Sequence, residues 1–296
     1  MDRPSYIWKL RRRRKLELGR RTLVMGILNV TPDSFSDGGR FLSHNRAVAH
    51  ALRMLDEGAD ILDIGGESTR PGAKTGDAGL PADEEIRRIV PVIENVLKQR
   101  PQTIISVDTY KSEVAFAAVA AGAEIVNDIS ALRWDSQMAA TVAEFACGVI
   151  LMHTRGRPHE WRDMPASANI VSAVKTELHE FALAAVAHGI TKDRIMLDPG
   201  FGFGKKFDQN YPLLAGLHEL HELGYPLLAG TSRKSFIGRT LARNRKDAPV
   251  NLRLYGSLAA VTASVLQGAH LVRVHDVRPT VEAVKIADEI LLRSRP

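Results

Sequence analysis

The sequence predicts an α/β chain that closes as a (β/α)8 TIM barrel with a short N-terminal β-hairpin. Three observations lead there. Eight apolar runs bounded by turn chemistry recur between residues 23 and 276, spaced by about 35 residues. Helix-like stretches, with apolar residues returning at three and four, lie between them. Several of those stretches end in Gly-Ala and pass directly into the next run, a weak internal repeat at Gly58, Gly122 and Gly268.

Taken in order, residues 1–22 form a basic arm and residues 23–296 the barrel. In the arm, Leu16 and Leu18 alternate with Lys15 and Glu17, Gly19 supplies a turn, and Thr22 to Val24 resume the apolar pattern. That pattern favours a hairpin closing one end of the barrel, arginines outward, over a nucleic-acid patch or a localisation signal. The expected strands are Leu23 to Asn29, Asp60 to Gly66, Thr103 to Thr109, Ala123 to Ile129, Gly148 to Thr154, Arg194 to Gly200, Pro226 to Ser232 and His270 to Asp276. Strands alternating with helices imply parallel pairing, in an open doubly wound sheet or a closed barrel. Eight units favour closure, since a (β/α)8 barrel takes about 250 residues.

Composition narrows the function. The net charge of +6 resides in the arm: residues 1–22 carry +7 and the other 274 residues sum to −1. The body therefore gives no sign of a nucleic-acid partner. No apolar run of 18 residues and no leader-like segment is present, so a cytoplasmic protein without a membrane partner is expected. Cys147, the single cysteine, excludes an intramolecular disulfide and a cysteine-based zinc site, and its setting in "FACGVIL" suits a small buried residue.

The runs end on polar residues: Asn29, Asp63, Asp108, Asn127, Asp128, His153, Asp198, Lys234, Arg273 and His275. In a barrel, the carboxyl ends of the strands carry the active site. Two phosphate-loop templates fail at "DPGFGFGKK", which has Pro199 and Lys206 against a P-loop and Lys205 against a dinucleotide fingerprint. "HELHELG" from His218 lacks metalloprotease spacing and reads as a solvated helix face. What remains handles an anion and a polar heterocycle. Ser68, Thr69 and Arg70 lie beside glycines that let backbone N–H groups approach a phosphate, while Arg273 and His275 share one face of the last strand. Asn29 offers a neutral oxygen of the kind Mg²⁺ accepts beside substrate phosphate and water. Asp108, Asn127, Asp198 and Lys234 match the donor and acceptor edge of an aminopyrimidinone ring.

With "MGILNVTPDSFSDGG", "DIGGESTRPGA", "SVDTYKSEV", "LDPGFGFGK", "TSRKSFIG" and "VRVHDV" in order, the chain resembles the dihydropteroate synthases, pterin-binding enzymes of folate biosynthesis targeted by sulfonamides. The resemblance implies condensation of 6-hydroxymethyl-7,8-dihydropterin diphosphate with 4-aminobenzoate, releasing pyrophosphate and 7,8-dihydropteroate. By motif, Asp108, Asn127, Asp198 and Lys234 would bind the pterin, with Met152 and Phe203 lining its pocket. Asn29, Thr69, Arg70, Arg273 and His275 would form the diphosphate and Mg²⁺ site. Phe35, Pro71, Arg233, Lys234 and Ser235 would receive 4-aminobenzoate, and Asp108, Lys234, Arg70 and His275 would stand nearest the chemistry. A homodimer through helices remote from the rim is also implied.

The chain departs from the family pattern at Thr154 and in its basic arm. A methyltetrahydrofolate-dependent methyltransferase on the same barrel is the alternative enzyme; it needs no diphosphate site, so Arg70, Arg273 and His275 argue against it.

Overall fold

At Gly58, Gly122 and Gly268 the chain turns with φ of +102°, +123° and +94°, left-handed backbone that a side chain would strain, and the next strand starts within a few residues. The computed structural model describes residues 3–31, 40–67, 79–161 and 163–293. It begins with β1 (Tyr6–Lys9) and β2 (Lys15–Leu18), an antiparallel pair with Tyr6 opposite Leu18. There follow β3 (Leu23–Asn29), α1 (Arg40–Asp56), β4 (Ile61–Gly65), α2 (Ala82–Gln99), β5 (Ile104–Asp108) and α3 (Ser112–Ala121). Next come β6 (Ile125–Asp128), α4 (Met138–Phe145), β7 (Gly148–Met152), α5 (Ile170–Ala187), β8 (Ile195–Asp198) and α6 (Asn210–Ala215). The chain finishes with β9 (Leu228–Ala229), α7 (Ser235–Thr240), α8 (Leu254–Leu266), β10 (Leu271–Val274) and α9 (Val277–Arg293).

Strands β3 to β10 pair in parallel in the order β8, β7, β6, β5, β4, β3, β10, β9. A parallel bridge from Leu197 to Leu227, with the Leu197 N–H donating to Pro226 O at 2.9 Å, brings β8 back beside β9 and closes the barrel. All eight expected strands are present. The run expected from Pro226 to Ser232 is reduced to a two-residue ladder, since Pro226 has no N–H and the chain turns at Thr231, whose carbonyl accepts from Lys234 N.

Period-two alternation sorts the strands. Leu23, Met25, Ile61, Ile104, Ile125, Ile150, Met196, Leu228 and Leu271 point inward and form one apolar layer across the barrel. Their neighbours, such as Val24, Leu62, Ile105, Val126, Val149, Leu197 and Val272, face outward into the larger core beneath the helices.

The hairpin seals this layer from the amino end. Trp8, Leu10 and Leu18 join the inward cluster, and the Trp8 indole donates to Arg194 O at 2.8 Å. Gly148 faces this plug: a Cβ there would lie 2.5 Å from Leu10 Cδ2. The arm's arginines are not uniformly outward. Arg12 and Arg13 are exposed, but Arg11 donates to Val119 O, and Arg14 donates to Gln102 O at 2.9 Å and pairs with Glu124 at 3.2 Å. The hairpin bends over the α3 end of the barrel, where free carbonyls attract guanidinium donors. Trp8→Ala should cost about 3–5 kcal/mol of unfolding free energy in urea denaturation, and a loss under about 1 kcal/mol would show the plug to be dispensable.

Cys147 is buried as expected, and burial pushes its thiol up to about 12. The "HELHELG" segment is not a solvated face. It forms a 3-10 turn, Leu217–Leu223, in which Leu217 and Leu220 are buried and His221 stacks edge-on against His270, 5.4 Å between ring centroids. The tighter turn rotates His221 beneath Gly268, where a helix would have turned it outward. Among the described residues, no helix is long and apolar enough to cross a membrane.

Candidate active site

One pleat above the apolar layer, toward the strands' carboxyl ends, most of the inward positions become polar. Ile61 gives way to Asp63, Ile104 to Ser106, Ile125 to Asn127, Ile150 to Met152, Met196 to Asp198 and Leu271 to Arg273. A further pleat presents Asn29, Asp108 and His275. Period two therefore stacks the site directly on the barrel's core.

Arg273 organises the first of these layers. Its Nε donates to Asp63 Oδ2 at 2.5 Å and its Nη2 to Asp108 Oδ2 at 2.5 Å, while Asn127 Nδ2 donates to Asp63 Oδ2 at 3.0 Å. Asp63 is fully buried. Burial disfavours the guanidinium's charge, but the two carboxylates hold its pKa above the ordinary value. Burial also raises the Asp108 carboxyl, against the pull of Arg273, with Asp63 adding to the rise. Asp63 Oδ1 and Asp108 Oδ1 are buried without a hydrogen-bond partner. Such atoms are costly unless a ligand's N–H groups reach them.

Asp198, across the mouth, accepts from Gly200 N at 2.7 Å, and burial raises its pKa. Lys234 places its ammonium 3.8 Å from the centroid of the Phe203 ring. Burial and Arg273 lower its pKa to about 7, while Asp198 and Asp108 oppose the shift. Phe203 and Trp134 pack against Tyr110, Ile129 and Met152, so Met152 and Phe203 belong to one apolar wall beside the carboxylates.

His275 receives a hydrogen bond at Nδ1 from the Ser232 hydroxyl at 3.1 Å, and its own N–H donates to Ser232 Oγ at 3.2 Å. Burial, then Arg273, lowers the imidazole to about 3. It is neutral, with Nε2–H free of that bond and able to donate to an anion. Arg233 is engaged elsewhere: its Nε and Nη2 donate to the two Asp276 oxygens at 2.9 and 2.6 Å, and its backbone sits at φ +57°. Ser235 opens α7 and is exposed. Phe35, Ser68, Thr69, Arg70 and Pro71 lie outside the described residues.

Asn29, half-buried, ends β3 opposite Gly65. Among the described residues, no group of three or more His, Cys, Asp or Glu side chains could hold a metal ion. Asn29 alone offers one oxygen, which fits Mg²⁺ only where substrate phosphate and water complete the octahedron.

Several residues of the site escape sequence reasoning. Asp63 stands in the rim pattern, yet its partners become visible only when β10 closes beside β3. Lys111 donates to Glu67 Oε2 at 2.8 Å, Glu85 Oε2 at 2.7 Å and Leu80 O at 2.6 Å, behind Asp108, whose carboxyl Glu85 helps to raise. Asp128, though at the rim, accepts from Ser130 N at 2.7 Å and Leu132 N at 2.9 Å and so shapes its own loop.

A barrel whose mouth sets three carboxylates, a carboxamide and a lysine against an aromatic wall, beside an arginine and a neutral histidine, defines a binding site for a polar flat ring bearing an anion. The chain belongs to the pterin binding enzyme family, whose model matches residues 25–275. It is 46% identical over 268 residues to the dihydropteroate synthase of Escherichia coli (strain K12), covering 90% of this chain and 91% of that one. Among solved structures it is similar to Xanthomonas albilineans dihydropteroate synthase with 4-aminobenzoic acid, at TM-score 0.87 and 46% identity, covering 99% and 100% of the two chains. The same enzyme in complex with 7,8-dihydropteroate matches at TM-score 0.80 and 44% identity, over 95% and 97%.

Proposed function

We infer that the chain makes 7,8-dihydropteroate, joining 6-hydroxymethyl-7,8-dihydropterin diphosphate to 4-aminobenzoate with release of pyrophosphate. The observation that carries this reading is the pair of orphaned carboxylate oxygens on Asp63 and Asp108, with Asn127 donating to Asp63 and the Lys234 ammonium in the field of Asp108 and Asp198. An aminopyrimidinone supplies the N–H donors and carbonyl acceptor that such a set lacks. A methyl-transferring enzyme on this barrel has no use for a diphosphate site.

In the reaction, the bond from the pterin methylene carbon to the diphosphate oxygen breaks, and its electron pair leaves with pyrophosphate. The amine of 4-aminobenzoate supplies the new pair to that carbon and then loses a proton. Asp108, beside the ring, stabilises cationic character developing there, while Arg273, Arg70 and neutral His275 donate to the departing anion. The site has no obvious base for the amine, which suits cleavage ahead of attack. With purified chain, pyrophosphate should appear only in step with 7,8-dihydropteroate. No product from the two substrates would overturn the reading.

We further propose that Asn29 lends one oxygen to a Mg²⁺ ion held chiefly by the diphosphate. When bound, the ion supplies charge neutralisation to the leaving group. EDTA should then abolish turnover, and Asn29→Ala should raise the Mg²⁺ concentration for half activity; full turnover in EDTA would sink the assignment.

A homodimer is proposed through α8 and α9, remote from the mouth. Supporting it are their exposed apolar side chains Tyr255, Ile286 and Ile290, with Tyr255 82% exposed. Sedimentation velocity should give a dimer that Tyr255→Glu weakens, and a monomer at micromolar concentration would refute it.

A further inference from the structure

Lys205 ends the glycine-rich turn, and its ammonium is turned inward. It donates to Gly200 O at 2.8 Å, Phe203 O at 3.2 Å and His153 O at 3.3 Å, and it lies 2.8 Å from His153 Nδ1. All are neutral acceptors. A part-buried ammonium that touches no carboxylate among the described residues is an expensive way to fill space, where an apolar side chain would cost less. What it does is join both edges of one turn to the end of β7. The turn already approaches β7 closely: a Cβ at Gly200, φ +65°, would lie 2.0 Å from His153 O.

For Lys205 to donate to Nδ1, that nitrogen must carry its lone pair. The neutral ring's proton then sits on Nε2, 3.2 Å from Glu177 Oε2 on α5. Burial, with Lys205, lowers His153 to about 4, which agrees with a neutral ring. Two residues before Lys205, Phe203 donates its N–H to Gly200 O at 3.1 Å. Its ring is held between the Lys234 ammonium and the Trp161 ring, whose centroid lies 5.1 Å away edge-on.

We propose that Lys205 is a positioning residue for the pterin pocket: by tying Gly200, Phe203 and His153 to one ammonium, it holds the Phe203 ring beneath Lys234. This rests on the reading above that Phe203 and Lys234 face the pterin. Lys205 touches no substrate. Its effect passes through the orientation of one aromatic ring.

The test combines Lys205→Met, Phe203→Leu and the double variant in steady-state kinetics with aromatic NMR of ¹³C-phenylalanine-labelled protein, the Phe203 signal being assigned by its loss in Phe203→Leu. Lys205→Met should raise KM for the pterin diphosphate about tenfold, leaving kcat and KM for 4-aminobenzoate within about threefold. The double variant should bind pterin no more weakly than Phe203→Leu alone, because both act through one ring. The Phe203 signal should move in Lys205→Met without any substrate. An unmoved signal in folded Lys205→Met, or multiplicative effects in the double variant, would overturn the proposal. If Lys205→Met does not fold, Glu177→Leu, on the partly exposed face of α5, should shift the same signal by releasing His153, and an unchanged signal there overturns it too. A wild-type chain that makes no dihydropteroate would defeat the functional reading, whereas the ring signal judges Lys205 independently.

Discussion

Lys234→Ala should lower kcat/KM about 100-fold and weaken both substrates. The ammonium lies over the Phe203 ring and between Asp108 and Asp198, where pterin and 4-aminobenzoate would meet. A buried hydrogen bond to a charged group contributes about 1.5–3 kcal/mol, or roughly 10- to 100-fold, and here one group serves both ligands. Lys234→Arg should not restore activity, since a guanidinium fork is larger than the ammonium that lies over the Phe203 ring. Calorimetry in which only one ligand weakens, or a kcat/KM within about threefold of wild type, would contradict this placement.

Arg273→Met should destabilise the fold by about 3–5 kcal/mol at pH 7, because it strands two buried carboxylates, Asp63 and Asp108, without their cation. The pH dependence has a definite sign. Burial raises the Asp108 carboxyl even with Arg273 present, and removing that cation raises it further. A folded-state pKa above the unfolded value of about 3.9 favours the folded chain at low pH, and this contribution is lost as pH rises through the folded value. The deficit of Arg273→Met relative to wild type should therefore shrink between pH 7 and pH 5. Urea midpoints giving an equal deficit at both values would remove the electrostatic explanation.

Much of this architecture is legible in the residue order. A strand that must bury both faces reads as a continuous apolar run, so the eight runs stand out. Period two then carries several inward isoleucines, leucines and methionines to the polar residue above, as from Ile61 to Asp63 or Leu271 to Arg273. Pairings made across the barrel are not legible. Arg273 and Asp63 lie 210 positions apart, and nothing local shows that an arginine placed for phosphate is also shared by two carboxylates. Lys205 illustrates the same limit: beside three glycines it reads as an exposed loop lysine, and only the folded turn shows the ammonium directed inward. "HELHELG" has helical periodicity but folds as a 3-10 turn, which brings His221 against His270.

The hairpin under the barrel has a consequence for the timing of synthesis. Its apolar residues, Trp8, Leu10 and Leu18, leave the ribosome before any barrel strand, but the surface that buries them is drawn from every later strand up to Leu271. The Trp8 indole must wait for Arg194 O and Arg3 for Asp288. At roughly 5–20 residues per second, that delay is on the order of ten seconds or more. Throughout it, a short amphipathic ribbon is exposed to other chains. Like charges spaced along Arg11 to Lys15 keep such ribbons from pairing edge to edge. The charge that stands out in the finished sequence is thus best placed to act before the fold exists.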